Sequence, residues 1–149
     1  MSVNTKRPKA SEPFVMLPRD LLRSDAWREQ GINCRRFIDF LCIEHLSKGG
    51  QENGKLKAPY RQLKDRVGID VKYAAEAIRE AERLGLVDCR RGGRRVATTY
   101  TLTWLPSHDG KGSTNRWRDH SRPVSPRPKF RNLTVKCHAE LHVECHADG

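Results

Sequence analysis

From Pro59 onward the apolar positions follow a helical rhythm twice in succession and then change to the rhythm of a strand. Tyr60, Leu63 and Val67 share one helical face, and Pro59 suits the first helical position, where a missing N–H leaves no donor unpaired. Gly68 can take the left-handed conformation that ends a helix. Asp70 is a natural N-cap, its carboxylate accepting a backbone N–H of the next first turn. The second helix sets Val71, Ala74, Ala77, Ile78, Ala81 and Leu84 on one stripe, with Lys72, Tyr73, Glu76, Arg79, Glu80 and Arg83 opposite. Alanines on the buried stripe let two helices approach closely at a steep angle. Gly85 stops this helix and Leu86 to Arg90 begins a strand. Val96, Thr98, Tyr100, Leu102 and Trp104 then alternate with Ala97, Thr99, Thr101 and Thr103, the period of a half-buried strand. Between the strands lies Gly92-Gly93, flanked by Arg90, Arg91, Arg94 and Arg95. The pattern predicts helix, tight turn, helix and hairpin.

Upstream, Phe37, Ile38, Phe40, Leu41, Cys42, Ile43 and Leu46 are apolar around more than one face, so a helix over 33–47 capped by Asn33 must be central. It is the expected scaffold for both later helices. Order is expected to begin at Phe14, with a short helix over Pro18 to Leu22. A further turn, capped by Ser24 or Asp25, carries Ala26 and Trp27 and ends near Gly31. Residues 48–54 form a turn cluster in which Asn53-Gly54 is a strong turn signal, and Lys55 to Ala58 is expected to add a brief third strand to the hairpin. His45, alone among core aliphatics, reads as a packed or surface imidazole rather than a ligand. The fold class is mainly α with a small β-hairpin, an α+β arrangement.

The Gln62-Leu63 … Gly68-Ile69 turn, the Ala74 … Ala77-Ile78 … Leu84-Gly85-Leu86-Val87 helix and exit, and Gly92-Gly93 followed by Tyr100-Thr-Leu-Thr carry a resemblance. On these residues the chain resembles the winged helix-turn-helix superfamily, as met in small bacterial regulators of the GntR and MarR kinds and in some plasmid and phage replication initiators. The resemblance implies that the second helix enters the major groove of double-stranded DNA while the hairpin, as the wing, lies over adjacent backbone or minor groove. By helical phase Lys72, Glu76 and Arg79 then face the groove, with Tyr73 and Ala75 at its edges. Arg79 or Lys72 could read guanine O6 and N7, Glu76 could accept from cytosine N4, and Tyr73 could meet a phosphate or a thymine methyl. Arg90, Arg91, Arg94 and Arg95 suit phosphates or a narrow minor groove, and Arg61 and Lys64 on the preceding helix are further phosphate candidates. The bland alternative is an amphipathic helix whose charged face is merely wet, helped by the Lys72–Glu76 and Glu76–Arg79 spacings. Against it stand the four wing arginines, whose only acidic neighbour in sequence is Asp88.

Charge strengthens this picture: the 149 residues carry a formal net charge of +11, which draws a protein to polyanions. No apolar run reaches the length of a membrane span and the N-terminus lacks the apolar core of a signal peptide, so a cytoplasmic location is expected. The odd set of five cysteines points to reduced thiols, with Cys34, Cys42 and Cys89 acting as small hydrophobes. Residues 1–13 read as a flexible basic arm, 14–105 as the DNA-binding domain and 106–149 as a disordered basic tail. The stretch from Pro106 to Lys136 holds eight Lys or Arg against two Asp, among prolines, serines and glycines. Val135-Lys-Cys-His-Ala-Glu and Val143-Glu-Cys-His-Ala-Asp form a near-repeat. In a regular strand Cys137 and Cys145 would face away from His138, His142 and His146, so a short duplication explains it more simply than a zinc site. Asn132-Leu-Thr134 fits a glycosylation acceptor, which has no bearing on a cytoplasmic chain.

No nucleophile with its base, carboxylate pair, phosphate loop or metal constellation stands out, so the expected function is binding rather than catalysis, with no cofactor and no metal. A transcription regulator comes first, a replication-initiator or mobile-element DNA-binding protein second, and a winged-helix protein-interaction module third. A homodimer is left open.

Overall fold

The computed structural model of the protein describes residues 12–121. The basic arm, the distal tail and the cysteine–histidine near-repeat lie outside the described residues. Five helices, α1 (Arg19–Arg23), α2 (Asp25–Glu29), α3 (Ile32–Ser47), α4 (Tyr60–Val67) and α5 (Val71–Arg83), precede a hairpin of β1 (Val87–Arg90) and β2 (Thr99–Leu102). The architecture is mainly helical with a two-stranded antiparallel sheet, as the sequence pattern predicts.

α3 is the scaffold. Phe37, Ile38, Phe40 and Leu41 are fully buried, and the helix packs against both α4 and α5. It begins two residues earlier than its expected Asn33 cap implies. Gly31 takes the N-cap position, and its N–H donates to Oε1 of Glu80 on α5 at 3.0 Å, so the capping group comes from tertiary packing. Ser24 caps α2 by accepting from the N–H of Trp27 at 3.1 Å, and Pro59 stands at the N-cap of α4 rather than at its first helical residue.

The turn between α4 and α5 follows the sequence chemistry closely. Gly68 ends α4 at φ +72°, a left-handed conformation that glycine adopts without a Cβ clash, and Asp70 Oδ1 accepts from the N–H of Lys72 at 3.2 Å. Ala74, Ala77, Ile78, Ala81 and Leu84 are buried as expected. Val71 is not: the first turn of α5 projects beyond the core and leaves it 48% exposed.

The strands pair Val87 with Leu102, Asp88 with Thr101, Cys89 with Tyr100 and Arg90 with Thr99. Pairing stops at Thr99 instead of reaching Val96, because residues 91–98 turn away as a loop in which Arg95 adopts φ +72°. The expected third strand is reduced to one bridge, Leu56 with Tyr100. Asn53 replaces much of that strand's work. Its buried amide donates to the carbonyls of Leu102, Leu105 and Pro106, while its Oδ1 accepts from the N–H of Leu102 at 2.7 Å.

The domain does not end at Leu105. Residues 106–121 run back across the molecule as a strap, and the short helix Arg116–Asp119 lowers Trp117 into the core, where it is 3% exposed. A Cβ on Gly85 would stand 2.7 Å from the carbonyl of Arg116, so only glycine lets the strap seat against the α5–β1 junction. Arg116 pairs with Asp88 at 2.9 Å, and His120 Nε2 lies 2.6 Å from Glu29 Oε2. One apolar side chain in a polar segment thus carries the packed core beyond Leu105, into the stretch that composition alone marked as a disordered tail.

Candidate nucleic-acid interface

Two surfaces meet along one side of the molecule: the outer face of α5 and the loop of the hairpin. Lys72, Tyr73, Glu76 and Arg79 are exposed on α5 and Ala75 is half-buried beneath them. The alanine stripe on the opposite side anchors the helix, so this face is held rigidly without being covered. Lys72 is not simply loose in solvent: its Nζ lies 4.9 Å from the centre of the Tyr73 ring, a cation–π contact that joins the two residues. Arg79 folds back toward its own helix, Nε reaching the carbonyl of Ala75 at 3.4 Å.

The hairpin and α5 enclose a cavity of about 120 Å³, to which Ala75 and Arg79 contribute from the helix, and Arg91, Thr98 and Tyr100 from the hairpin. The expected helix and hairpin residues are therefore neighbours in space. Their charges are not all available. Arg91 pairs with Glu82 of α5 at 3.3 Å, and Asp88, the acid expected beside the hairpin arginines, is engaged by Arg116. Among the described residues Arg90, Arg94 and Arg95 form no ion pair within 4 Å, and all three are exposed. Arg95 holds a left-handed φ that a side chain normally avoids, which turns the loop tip sharply. Arg61 and Lys64 are exposed on α4, likewise without ion pairs among the described residues, whereas Arg66 on the same helix is taken up by Glu44 at 2.7 Å.

Sequence reasoning missed three cations that the fold brings to this side. Arg36, on the exposed face of α3, donates to the carbonyl of Gly68 at 3.4 Å and so stands beside the α4–α5 turn. The helical spacing of Arg36 and Asp39 within an apolar helix was a usable signal for an exposed stripe. Lys55 borders the hairpin loop and Lys57 lies near Tyr60 and Thr98. These two belong to a segment that looked like a plain strand.

Other chemistry is quieter. Burial pushes the thiols of Cys34 and Cys42 up to about 12 and that of Cys89 up to about 11, as fits packed, unreactive cysteines. Burial also lowers the pKa of His45, whose Nδ1 has no partner among the described residues. No group of three or more His, Cys, Asp or Glu among the described residues is arranged to hold a metal ion, and no helix among them is long and apolar enough to cross a membrane. No family model matches the chain, and neither a curated protein nor a solved structure matches it.

Proposed function

We propose that this protein binds double-stranded DNA in a sequence-specific way, as a winged helix-turn-helix, with α5 as the recognition helix in the major groove and the 91–98 loop as the wing on adjacent backbone or minor groove. The observation that carries this reading is the juxtaposition itself: an uncovered charged face of α5, seated on a rigid alanine stripe, beside a loop tip bearing exposed Arg94 and Arg95. Helix capping by Asp70 and the Gly68 turn support it by fixing the start of α5, the part that a major groove admits. The net charge of +11 supplies long-range attraction to phosphate. Within this reading Arg79 reads guanine after leaving its weak contact with the Ala75 carbonyl, Glu76 accepts from cytosine, and Lys72, held against Tyr73, serves phosphates. Arg36 joins Arg61 and Lys64 as a backbone anchor around the turn. The biological role that fits best is transcription regulation; a replication initiator would use the same contacts and differ in where its sites lie.

The test is selection of binding sites from random duplexes, followed by Arg79→Ala and Lys72→Ala against every single-base change in the selected site. Arg79→Ala should cost about 1–3 kcal/mol at one base pair and relax preference there, while Lys72→Ala should weaken all sites alike. Equal, sequence-independent losses for both variants would remove base reading from α5.

A further inference from the structure

β-strand alternation divides the hairpin into two faces. Cys89, Thr98 and Tyr100 line the cavity shared with α5, whereas Arg90 and Thr99, the intervening residues, line a second groove on the other side, and Arg91 beyond the end of β1 borders both. That outer groove has a volume of about 440 Å³ and is bordered by Lys55, Arg90, Arg91, Gly93, Thr99 and His108. No carboxylate lines it. Lys55 and Arg90 form no ion pair among the described residues, so their charge faces solvent uncompensated. His108 is fixed at the rim: its backbone N–H donates to the carbonyl of Asn53 at 2.8 Å, and its Nδ1 contacts the same oxygen at 3.1 Å. Asn53 is itself buried and locked to the hairpin, so the Lys55 bank and the Arg90 bank cannot drift apart without breaking those bonds. Gly93 leaves open space at the loop, where a ligand can approach the backbone.

We propose that this outer groove binds a second stretch of DNA phosphodiester backbone, so that the hairpin is straddled by phosphates: one set on the α5 side, another held by Lys55 and Arg90. The proposal rests on the DNA-binding reading and adds a separate site to it, built by Lys55 and by His108 on the strap. Charge complementarity selects the occupant. A pre-built groove with cations on both banks, no acid and a tip left open at Gly93 suits a passing polyanion better than an enclosed small molecule. A backbone held on both hairpin faces also fixes the depth to which the tip enters the DNA.

The experiment uses the full chain and a selected duplex in which each phosphate in turn is replaced by an uncharged methylphosphonate. Lys55→Gln, an exposed substitution outside the packed core, should flatten the salt dependence of binding by about 0.9 of a unit, the share of one phosphate. It should leave base preferences unchanged. Neutralising one or two particular phosphates should weaken the parent protein but not the Lys55→Gln variant, since their partner is already gone. If Lys55→Gln and every neutralised phosphate act additively, or if the salt slope is unchanged, the outer groove does not hold DNA, although the α5 reading survives. A further arm titrates inorganic phosphate while following the amide resonances of Gly93 and His108. Tight, saturable shifts together with an unchanged salt slope for Lys55→Gln would make the groove a small-anion site and overturn the proposal. If the parent protein shows no salt-sensitive affinity for any duplex, the DNA reading itself fails, and this proposal with it.

Discussion

Removing the indole of Trp117 should unfold far more than the segment that carries it. The ring is 3% exposed and belongs to the continuous core, its Nε1 donates to Asn115 Oδ1 at 3.1 Å, and the Arg118 guanidinium stacks 4.4 Å from its centre. Trp117→Ala deletes a large buried side chain from the core. Such changes cost about 3–5 kcal/mol, a large share of the roughly 5–15 kcal/mol that holds a domain together. At roughly 4 °C per kcal/mol for a domain of this size, the melting temperature should fall by about 12–20 °C. With a urea slope of about 2 kcal/mol/M the unfolding midpoint should drop by about 2 M. Far-UV circular dichroism during heating and urea titration reads both. A chain ending at Leu105 should be destabilised at least as much, because it also loses the Arg116–Asp88 and His120–Glu29 contacts. A Trp117→Phe variant should recover most of the loss. If Trp117→Ala and the chain ending at Leu105 both melt within about 3 °C of the parent, well inside the shift expected for a buried tryptophan, the strap contributes nothing to the core and the domain boundary returns to Leu105.

Arg94→Ala combined with Arg95→Ala should weaken specific and nonspecific DNA binding alike and flatten the salt slope by up to about 2 units; an unchanged slope would take the loop tip out of the contact surface. The thiol of Cys34, fully buried and pushed up to about 12, should resist iodoacetamide in the native protein at neutral pH and react after denaturation, with peptide mass mapping as the readout. Rapid native labelling would mean that α3 opens readily. Burial lowers the His45 pKa below its unfolded value of about 6.5, so the unfolded chain binds the proton more readily. Stability should accordingly be full above about pH 6.5 and decline below it through this group, and His45→Gln should remove that part of the decline in unfolding midpoints measured across pH. An identical pH profile in His45→Gln would show that this imidazole is not the source.

Local chemistry made the α4–turn–α5 unit legible. Gly68 and Asp70 act on neighbours within their own turn, and the alanine stripe repeats at the helical period, so each signal sits inside a window of a few residues. What the sequence concealed depends on partners far along the chain. The cap of α3 is Glu80, 49 residues away, and the hairpin is tied by Asn53, again 49 residues from Leu102. Trp117 was lost in the average composition of a basic, proline-bearing stretch, because one indole hardly changes a window's hydrophobicity yet fills a whole pocket. At the candidate interface the exposed faces of α5 and the loop could be read from phase, but the pairing of Arg91 with Glu82 could not, since it needs the packing of β1 against α5.

That packing gives the strap a bearing on the interface as well as on stability. The angle between α5 and the hairpin is set at the α5–β1 junction, where the left-handed Gly85 is pressed by the Arg116 backbone and its carbonyl accepts from the Thr103 hydroxyl at 2.7 Å. Arg116 also reaches both sides of that joint, its guanidinium touching the carbonyl of Glu82 on α5 and the carboxylate of Asp88 on β1. A side chain that bridges helix and strand across their hinge resists rotation of one against the other. The helix face and the loop tip can serve one rigid DNA surface only if that hinge is stiff, because a displacement of about 1 Å is enough to lose an aligned contact. Arg116 and the strap that carries it therefore hold the α5–hairpin geometry on which the proposed recognition depends.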